Sequence, residues 1–212
     1  MIKILLADDH AIIRQGLRIF ISDYFPASHI TESADGDDAL EKIMMENFNL
    51  IILDVNMPGT NSFELVSKIL AHQANANILI FSMNAEDVYA KKYLQMGVRG
   101  YLSKASNESE MEKALSNVIN GKRYLSPGVS DILTESALGN IEINPFNRLS
   151  SREFEIMLML TRGKSLVEIC KALSLHPSTV GTHKARLFQK LNCDNIIDIH
   201  ALAQVYNVIP AS

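Results

Sequence analysis

Three short apolar runs in the first half of the chain end in charged residues, and this pattern constrains the fold more than any other feature. The runs, with the charges that follow them, are 4–7 before Asp8 and Asp9, 50–53 before Asp54, and 100–103 before Lys104. Uninterrupted apolar runs of this length predict strands that are buried on both faces, as in parallel sheets. Ligand sites of open α/β sheets lie beyond the carboxyl ends of the strands. We therefore expect three carboxylates and one ammonium to meet at one edge of a sheet.

Strand-like and helix-like patterns alternate five times between residues 1 and 121. Strands are predicted at 3–7, 29–33, 50–54, 77–82 and 99–103, and helices at 11–24, 37–46, 62–71, 87–96 and 108–120. Helices that follow each strand imply a parallel sheet that is covered on both faces, with right-handed connections. The predicted fold class is therefore α/β, a flavodoxin-like doubly wound sheet of five parallel strands in the order 2-1-3-4-5.

The rest of the chain carries helical patterns only. Glycine, proline and asparagine cluster on both sides of a short helical pattern at 130–138, so residues 122–147 are interpreted as a linker with one short helix. From residue 148 onwards, apolar residues recur at helical spacing in four successive segments. We predict an all-α domain of four helices over residues 148–212.

Charge is divided unevenly between these parts of the chain. Residues 1–147 hold 12 Lys and Arg against 19 Asp and Glu, whereas residues 148–212 hold 8 against 5, which gives the net charge of −4. The basic end is weak evidence for a polyanionic partner. The sequence has no basic and apolar leader and no run of about 18 apolar residues, so we expect a cytoplasmic protein without a membrane partner. Cys170 and Cys193 lie at apolar positions of helical patterns and predict reduced core thiols.

The acidic residues at the strand ends suit the transfer of a phosphoryl group. A carboxylate such as Asp54 is able to attack phosphorus, but it must approach a dianionic group while it is itself negative. A hard divalent ion with oxygen ligands cancels that charge, so Mg²⁺ or Mn²⁺ is the expected cofactor. Its predicted ligands are Asp8, Asp9, Asp54 and the backbone carbonyl of Asn56. Lys104 would supply a positive charge to a phosphoryl oxygen, and Ser82 a hydroxyl hydrogen bond.

Helix capping or solvent exposure explains any one of these acids alone. Their combination with Ser82 and Lys104 favours chemistry or metal binding, because without a cation three adjacent carboxylates would raise one another's pKa. The residues that carry a family resemblance are 8–10 (Asp-Asp-His), 53–59 (Leu-Asp-Val-Asn-Met-Pro-Gly), Ser82 and 100–104 (Gly-Tyr-Leu-Ser-Lys). With them, residues 1–121 resemble the receiver domain of bacterial two-component response regulators.

This resemblance implies that Asp54 accepts a phosphoryl group from a sensor histidine kinase and that the first two acids serve Mg²⁺. It also implies that Ser82 and Tyr101 form a conformational switch. After phosphorylation Ser82 would be drawn to the new oxygens, and Tyr101 would turn inward into the space that is left. We expect this change to alter the surface of the fourth and fifth βα units, a candidate homodimer face. One departure from the family is Ser62, where this subclass usually has glycine.

Residues 148–205 resemble the LuxR-type helix-turn-helix domain of the NarL/FixJ class of regulators. The resemblance rests on 149–153 (Leu-Ser-Ser-Arg-Glu), Gly163, 168–169 (Glu-Ile), 177–180 (Pro-Ser-Thr-Val), His183 and 190–191 (Lys-Leu). It implies double-stranded DNA as a partner, with the third of the four helices in the major groove. The predicted DNA-binding residues are Ser178, Thr179, Gly181, Thr182, Lys184, Ala185, Arg186 and Gln189. Helical geometry directs Thr182 and Gln189 to base edges, whereas Lys184, Arg186 and Lys190 suit phosphates.

Two positions of this helix depart from the class. Gly181 stands where a lysine is common and Ala185 is uncharged, so the positions that contact DNA in the class carry little charge here. Glycine also costs about 1 kcal/mol of helix stability relative to alanine. Two explanations stay open: Gly181 permits close backbone approach while Lys184 and Arg186 bind phosphates, or DNA affinity is low and depends on dimerisation. We favour the first. Ile196, where arginine is common, is a further departure.

The resulting prediction is a DNA-binding transcriptional response regulator, activated by Mg²⁺-dependent phosphoryl transfer to Asp54 and dimeric when phosphorylated. It is not an enzyme beyond its own phosphoryl transfer and dephosphorylation. The alternative is a phosphorylation-independent regulator or interaction scaffold with a vestigial acidic site. A haloacid-dehalogenase-like phosphatase is disfavoured because Asn56 stands where its second aspartate is required. A Rossmann nucleotide binder is disfavoured because the first turn lacks glycines.

Overall fold

The computed structural model describes residues 1–137 and 144–209, except for the side chains of residues 132, 133 and 135–137. Its first part is a parallel sheet with the strand order β2-β1-β3-β4-β5. The strands are β1 Ile2–Ala7, β2 Ser28–Ser33, β3 Leu50–Leu53, β4 Ile78–Ser82 and β5 Gly100–Ser103. The predicted α/β class and strand order are confirmed, and each strand limit lies within one residue of its predicted place.

Five helices connect and cover the strands. They are α1 Ala11–Tyr24, α2 Gly36–Met45, α3 Ser62–His72, α4 Glu86–Met96 and α5 Glu108–Ile119. α1 and α5 pack on one face of the sheet, through Leu17, Ile21 and Leu115 among others, and α2, α3 and α4 pack on the other. Because both faces are covered, every residue of β3 and β4 is buried, which explains why these strands are apolar runs without alternation.

The strand register brings the ends of the strands to one edge of the sheet. Ala7 at the end of β1 lies opposite Leu53 at the end of β3. The backbone N–H of Asp54 donates to the Ala7 carbonyl over 2.8 Å, and that of Lys104 to the Ser82 carbonyl over 2.9 Å. The backbone therefore holds the residues that follow β1 and β3 next to each other, and it places Lys104 at the same edge of the sheet, beside the end of β4.

The segment after α5 differs in part from the predicted linker. Tyr124 forms a single parallel bridge with Gly100, so the chain continues along the free edge of β5 before it leaves the sheet. α6, Pro127–Ala137, begins three residues before the predicted helix. The hydroxyl of Ser126 accepts the N–H of Val129 over 3.2 Å, and proline suits the first helical turn.

The end of this segment is described from residue 144 onwards. The predicted helix end at residue 138 and the breakers Gly139 and Asn140 lie outside the described residues. A short 3₁₀ helix, Pro145–Arg148, follows and was not among the predicted elements. The side chain of Asn144 starts it by accepting the N–H of Phe146 over 3.1 Å.

The second part is the predicted all-α domain, and its four helices are confirmed. They are α7 Ser151–Thr161, α8 Leu166–Leu173, α9 Pro177–Leu191 and α10 Ile196–Val205. Capping boxes start the first two, from Ser150 with Glu153 and from Ser165 with Glu168. Three residues join α8 to α9 as a helix-turn-helix. Within the described ranges, no helix is long and apolar enough to cross a membrane.

The two parts of the chain share an apolar core, which the sequence did not predict. Phe154 of α7 and Val208 after α10 belong to the same buried cluster as Val88 and Tyr89 of α4. The outer face of α4 is therefore covered by the helical domain. This packing explains why residues on more than one face of α4 are buried, since the sheet alone would bury only its inner face.

Two glycine-to-alanine changes test the packing of the sheet. A Cβ at Gly100 would lie 2.9 Å from Leu79 Cδ1, 3.2 Å from Val118 Cγ2 and 3.3 Å from Tyr124 Cβ. We expect Gly100→Ala to lower the free energy of unfolding by about 1–3 kcal/mol through overpacking. The matched control is Gly16→Ala in α1, where nothing lies within 4 Å and a gain of up to about 1 kcal/mol is expected. Urea unfolding of both variants measures the difference, and equal effects would contradict the packing described.

Candidate functional site

The structure brings three of the predicted site residues into direct contact at the carboxyl ends of β1, β3 and β5. Lys104 Nζ lies 2.7 Å from Asp8 Oδ2 and 2.8 Å from Asp54 Oδ2. Both aspartates are almost fully buried, with 2% of each residue exposed. Because a buried carboxylate needs a partner, the one ammonium of Lys104 stabilises two negative charges at once.

Two opposing effects act on the pKa of Lys104. Burial of the ammonium lowers this pKa, whereas hydrogen bonds and charges of Asp54 and Asp8 raise it, and the net shift is upward. Lys104 is therefore protonated at neutral pH. The site keeps a fixed positive charge beside the Asp54 carboxylate.

The acidic pocket has a donor set that suits a divalent cation. Asp8, Asp9, His10 and Asp54 each offer a ligand atom, and these atoms lie within 4.8 Å of one another. Asp9 Oδ1 is buried and accepts no hydrogen bond from the described residues, although His10 Nδ1 lies 2.9 Å from it. Carboxylate oxygens are the ligands that Mg²⁺ prefers, so the acidic residues fit that ion. His10 is a further candidate ligand that the sequence analysis did not assign.

Asn56 and Asn84 link the two loops at the rim of this pocket. Their side-chain amides exchange two hydrogen bonds, of 3.0 Å and 3.2 Å. The backbone N–H of Asn56 also donates to Asp54 Oδ1 over 3.1 Å. With Lys104 on Oδ2, both oxygens of Asp54 thus have donors. The role of the Asn56 carbonyl as a metal ligand stays a prediction.

Ser82 and Tyr101 lie together, but the orientation of the tyrosine differs from the expected one. Only 1% of Tyr101 is exposed, and its phenol donates to the Asn84 carbonyl over 3.1 Å. The backbone N–H of the same Asn84 donates to the Ser82 hydroxyl over 3.1 Å. Burial raises the pKa of this phenol well above its ordinary value, so it keeps its proton. The ring packs on Tyr93, with centroids 6.4 Å apart. Tyr101 thus lies inward in this conformation, and its motion after phosphorylation stays a prediction.

The predicted DNA-binding residues lie on α9, and most of them are exposed. The exposed ones are Ser178, Gly181, Thr182, Ala185, Arg186 and Gln189, while Thr179 and Lys184 are partly buried. The side predicted to enter the major groove is therefore open to solvent, even though the two parts of the chain pack together.

Local contacts order the start of α9. The His176 ring accepts the N–H of Ser178 over 3.3 Å, and the hydroxyl of Thr182 donates to the Ser178 carbonyl over 2.9 Å. A Cβ at Gly181 would meet nothing within 4 Å. The packing of the chain itself therefore does not require glycine at this position.

Comparison with known proteins gives the same two parts. Residues 4–116 match the response regulator receiver domain, and residues 147–203 match the bacterial regulatory proteins of the luxR family. The response regulator UvrY of Escherichia coli (strain K12) is 35% identical over 207 residues, which cover 96% of this chain and 94% of UvrY. The chain is a two-component response regulator. It belongs to the transcription regulators that carry a LuxR-type DNA-binding domain.

Other relatives of the regulator agree with this assignment. The response regulator GacA of Pseudomonas aeruginosa is 30% identical over 213 residues, which cover the whole of both chains. The structure of RcsB from Salmonella enterica serovar Typhimurium, bound to promoter rprA in the presence of phosphomimetic BeF3−, superposes with a TM-score of 0.78. It is 23% identical and covers 95% of this chain and 97% of RcsB. At that identity the superposition shows a shared fold.

Lys190 of the response regulator has a different partner from the one expected. Its Nζ lies 2.6 Å from Glu153 Oε2, and the Glu153 side chain is 4% exposed. Burial raises the pKa of Glu153, but hydrogen bonds from Lys190 and Ser150 outweigh this effect and lower the pKa. The ion pair joins α9 to α7, so Lys190 supports the domain and is not free for a phosphate.

Ser62 has a clear role in packing. Its hydroxyl lies 2.8 Å from the phenol oxygen of Tyr93, and both residues are buried. A glycine at this position would leave the buried phenol without that partner, at a cost of about 1–3 kcal/mol. The serine that departs from the family pattern thus links α3 to α4 through its contact with Tyr93.

Among the described residues, polar contacts join the receiver to the DNA-binding domain and to the end of the linker. The phenol of Tyr89 donates to the Val208 carbonyl over 3.0 Å, and Asn61 Nδ2 donates to Glu155 Oε1 over 2.8 Å. Asn144 Nδ2 donates to Asp87 Oδ2 over 2.9 Å, and Lys92 Nζ contacts the carbonyls of Asn147 and Leu149. No sequence motif marked these residues, because each partner is distant along the chain.

The ion pair of Lys190 leads to a stability prediction. We expect Lys190→Ala to lower the free energy of unfolding by about 1–3 kcal/mol at neutral pH, because it leaves the buried carboxylate of Glu153 without its cation. The folded-state pKa of Glu153 is lowered, so this stabilisation is present above the unfolded pKa and is lost as the pH falls through the folded one.

The measurement is urea unfolding at neutral pH and in acid, with the exposed Arg186→Ala as the control. Arg186→Ala should change stability by less than about 0.5 kcal/mol. If Lys190→Ala matches that control at neutral pH, the ion pair does not stabilise the domain.

Proposed function

We propose that Asp54 accepts a phosphoryl group from a sensor histidine kinase and that the phosphorylated regulator binds double-stranded DNA as a homodimer. The observation that carries this proposal is the contact of Lys104 Nζ with Asp54 and Asp8, at 2.8 Å and 2.7 Å. A phosphoryl group brings further negative charge to a buried carboxylate. A fixed ammonium at the same oxygen is preorganised to stabilise that charge.

In the proposed transfer, a carboxylate oxygen of Asp54 attacks the phosphorus of a phosphohistidine. The bond between phosphorus and nitrogen breaks, and the imidazole keeps the electron pair and takes up a proton. Lys104 exchanges its contact with Asp54 for a phosphoryl oxygen, and Ser82 donates its hydroxyl to the same group. Mg²⁺ or Mn²⁺, held by Asp8, Asp9 and Asp54, would supply charge neutralisation when bound.

Labelling with acetyl phosphate tests the acceptor. Asp54→Asn should abolish the incorporation of phosphate in the presence of Mg²⁺, because an amide does not form the acyl phosphate. Asp23→Asn, at an exposed acid of α1, should label as the wild type does. Persistent labelling of the Asp54 variant would overturn the assignment. Absence of labelling in the wild type, with acetyl phosphate and with kinase, would favour the vestigial site instead.

The proposed DNA contacts lie on α9. Its exposed side contains Ser178, Thr182, Ala185 and Gln189. The open space at Gly181 supports close approach of the helix backbone to DNA, with Thr179 beside it. Lys184 and Arg186 would then carry the phosphate contacts. Lys190 is not included among the proposed phosphate contacts, because its ammonium forms an ion pair with Glu153.

Salt titration tests these contacts. We expect Lys184→Ala and Arg186→Ala each to weaken DNA binding and to reduce the slope of log K against log[salt] by about 1, because each removes one phosphate contact. The control is Lys113→Ala, at an exposed position of α5, with an unchanged slope. Wild-type slopes in both α9 variants would contradict the phosphate roles and leave weak, dimer-dependent binding as the explanation.

The remaining expectations follow from this function. We propose a receiver domain over residues 1–121, a linker over 122–147 and a DNA-binding domain over 148–212. The free thiols of Cys170 and Cys193 support a reducing, cytoplasmic location. Dimerisation is proposed because two half-sites multiply the affinity of a small module. The regulator would transform only its own phosphoryl group.

A further inference from the structure

A cavity of about 510 Å³ lies between the two domains, and neither Asp54 nor Lys104 lines it. The receiver contributes the loop 55–63 after β3, together with Asn84 and Tyr89, and the DNA-binding domain contributes parts of α7 and α8. This volume falls in the range of sites that hold small molecules, and such sites are frequent where domains meet. The proposed phosphoryl transfer does not use this cavity.

The buried part of the cavity wall is apolar and suits a flat ring. Met57, Phe63, Tyr89 and Leu158 line it, and each is at most 6% exposed. Aromatic faces and thioethers make favourable contacts with a further aromatic ring. An aromatic body would therefore find a complementary surface inside the cavity.

The rim of the cavity carries a positive charge that is not balanced. Arg162 and Lys164 lie there, and both are exposed. Lys164 Nζ has a carboxylate partner, since it lies 3.4 Å from Glu168 Oε1. Arg162 has no ion pair with any residue that the structure describes. One guanidinium at the rim is therefore available to an anionic ligand.

The carboxylate of Glu155 also lines the cavity, but it does not neutralise this guanidinium. Its Oε2 pairs with Arg152 at 2.7 Å, and its Oε1 accepts a hydrogen bond from Asn61 over 2.8 Å. Burial raises the pKa of the Tyr89 phenol, and the positive charge of Arg162 acts against that rise. The free charge at the rim therefore lies within electrostatic reach of a residue of the apolar wall.

We propose that this cavity binds a small aromatic carboxylate, with its ring on the apolar wall around Tyr89 and its carboxylate on Arg162. A guanidinium is planar and is able to bind a carboxylate through two parallel hydrogen bonds. The regulator would then have a small-molecule ligand in addition to its phosphoryl group. The inference does not rest on phosphoryl transfer to Asp54.

A matched pair of probes tests the site. Naphthoate has an aromatic body and one carboxylate, and naphthamide has nearly the same shape without the charge. Both are titrated calorimetrically into the full chain and into three variants, without phosphodonor. Arg162→Met removes the charge at the rim, and Ala172→Trp fills the cavity from an exposed position of its wall. The control is Arg123→Met, at an exposed arginine of the receiver outside the cavity.

We expect naphthoate to bind the wild type with a Kd below about 1 mM and about fivefold or more tightly than naphthamide. Arg162→Met should bring the two probes to the same affinity, because this cycle isolates the contact between the carboxylate and the guanidinium. Ala172→Trp should weaken the binding of both probes, and Arg123→Met should change neither.

Three results would overturn the proposal. They are the absence of naphthoate binding to the wild type, equal affinity of the wild type for the two probes, and wild-type naphthoate binding by Arg162→Met. If Arg162→Met does not fold, Ala172→Trp decides, and undiminished binding of naphthoate by that variant places the ligand elsewhere. Each result is independent of the labelling of Asp54, so the proposed function and the ligand site fail separately.

Discussion

The contact of Lys104 with Asp8 and Asp54 is the interaction on which the acidic site depends. It joins the ends of β1, β3 and β5, and it places one ammonium between two carboxylates that are 2% exposed. Without that cation, two buried carboxylates side by side would repel each other. The ion pair therefore places a fixed positive charge beside the buried Asp54 carboxylate.

The backbone makes this contact possible, and aromatic packing connects the acidic site to α4. Parallel pairing brings the ends of the three strands to the same edge of the sheet. On the other side of the sheet, Tyr101 and Tyr93 connect the pocket to α4. One side of α4 packs on the sheet of the receiver, and its other side contacts the DNA-binding domain.

The acidic site was largely predictable from the sequence, because it depends on strand ends. A buried strand is an apolar run, and the charged residue that ends it is visible without any tertiary information. The same reasoning located the exposed side of α9, where helical periodicity alone separates Val180 and Leu187 from Thr182 and Gln189.

The contacts between distant elements were not predictable in this way. Lys190 has the spacing of a phosphate ligand, and only its approach to Glu153 of α7 shows that it supports the domain. From the sequence alone, Lys92 would be taken for a surface lysine of an amphipathic helix. It is fully buried because the DNA-binding domain covers it. The inward position of Tyr101 likewise depends on Tyr93 and on what packs behind it. Side-chain contacts between different elements leave no periodic signal in a single sequence.

Reduction of the phosphorylated protein with borohydride identifies the residue that carries the phosphoryl group. Borohydride converts an aspartyl phosphate to homoserine, and mass spectrometry of the peptides then locates the modified residue. After incubation with acetyl phosphate and Mg²⁺, we expect homoserine at position 54, with Asp8 and Asp9 unmodified. Homoserine at position 8 or 9, or phosphate bound without any aspartyl modification, would contradict it.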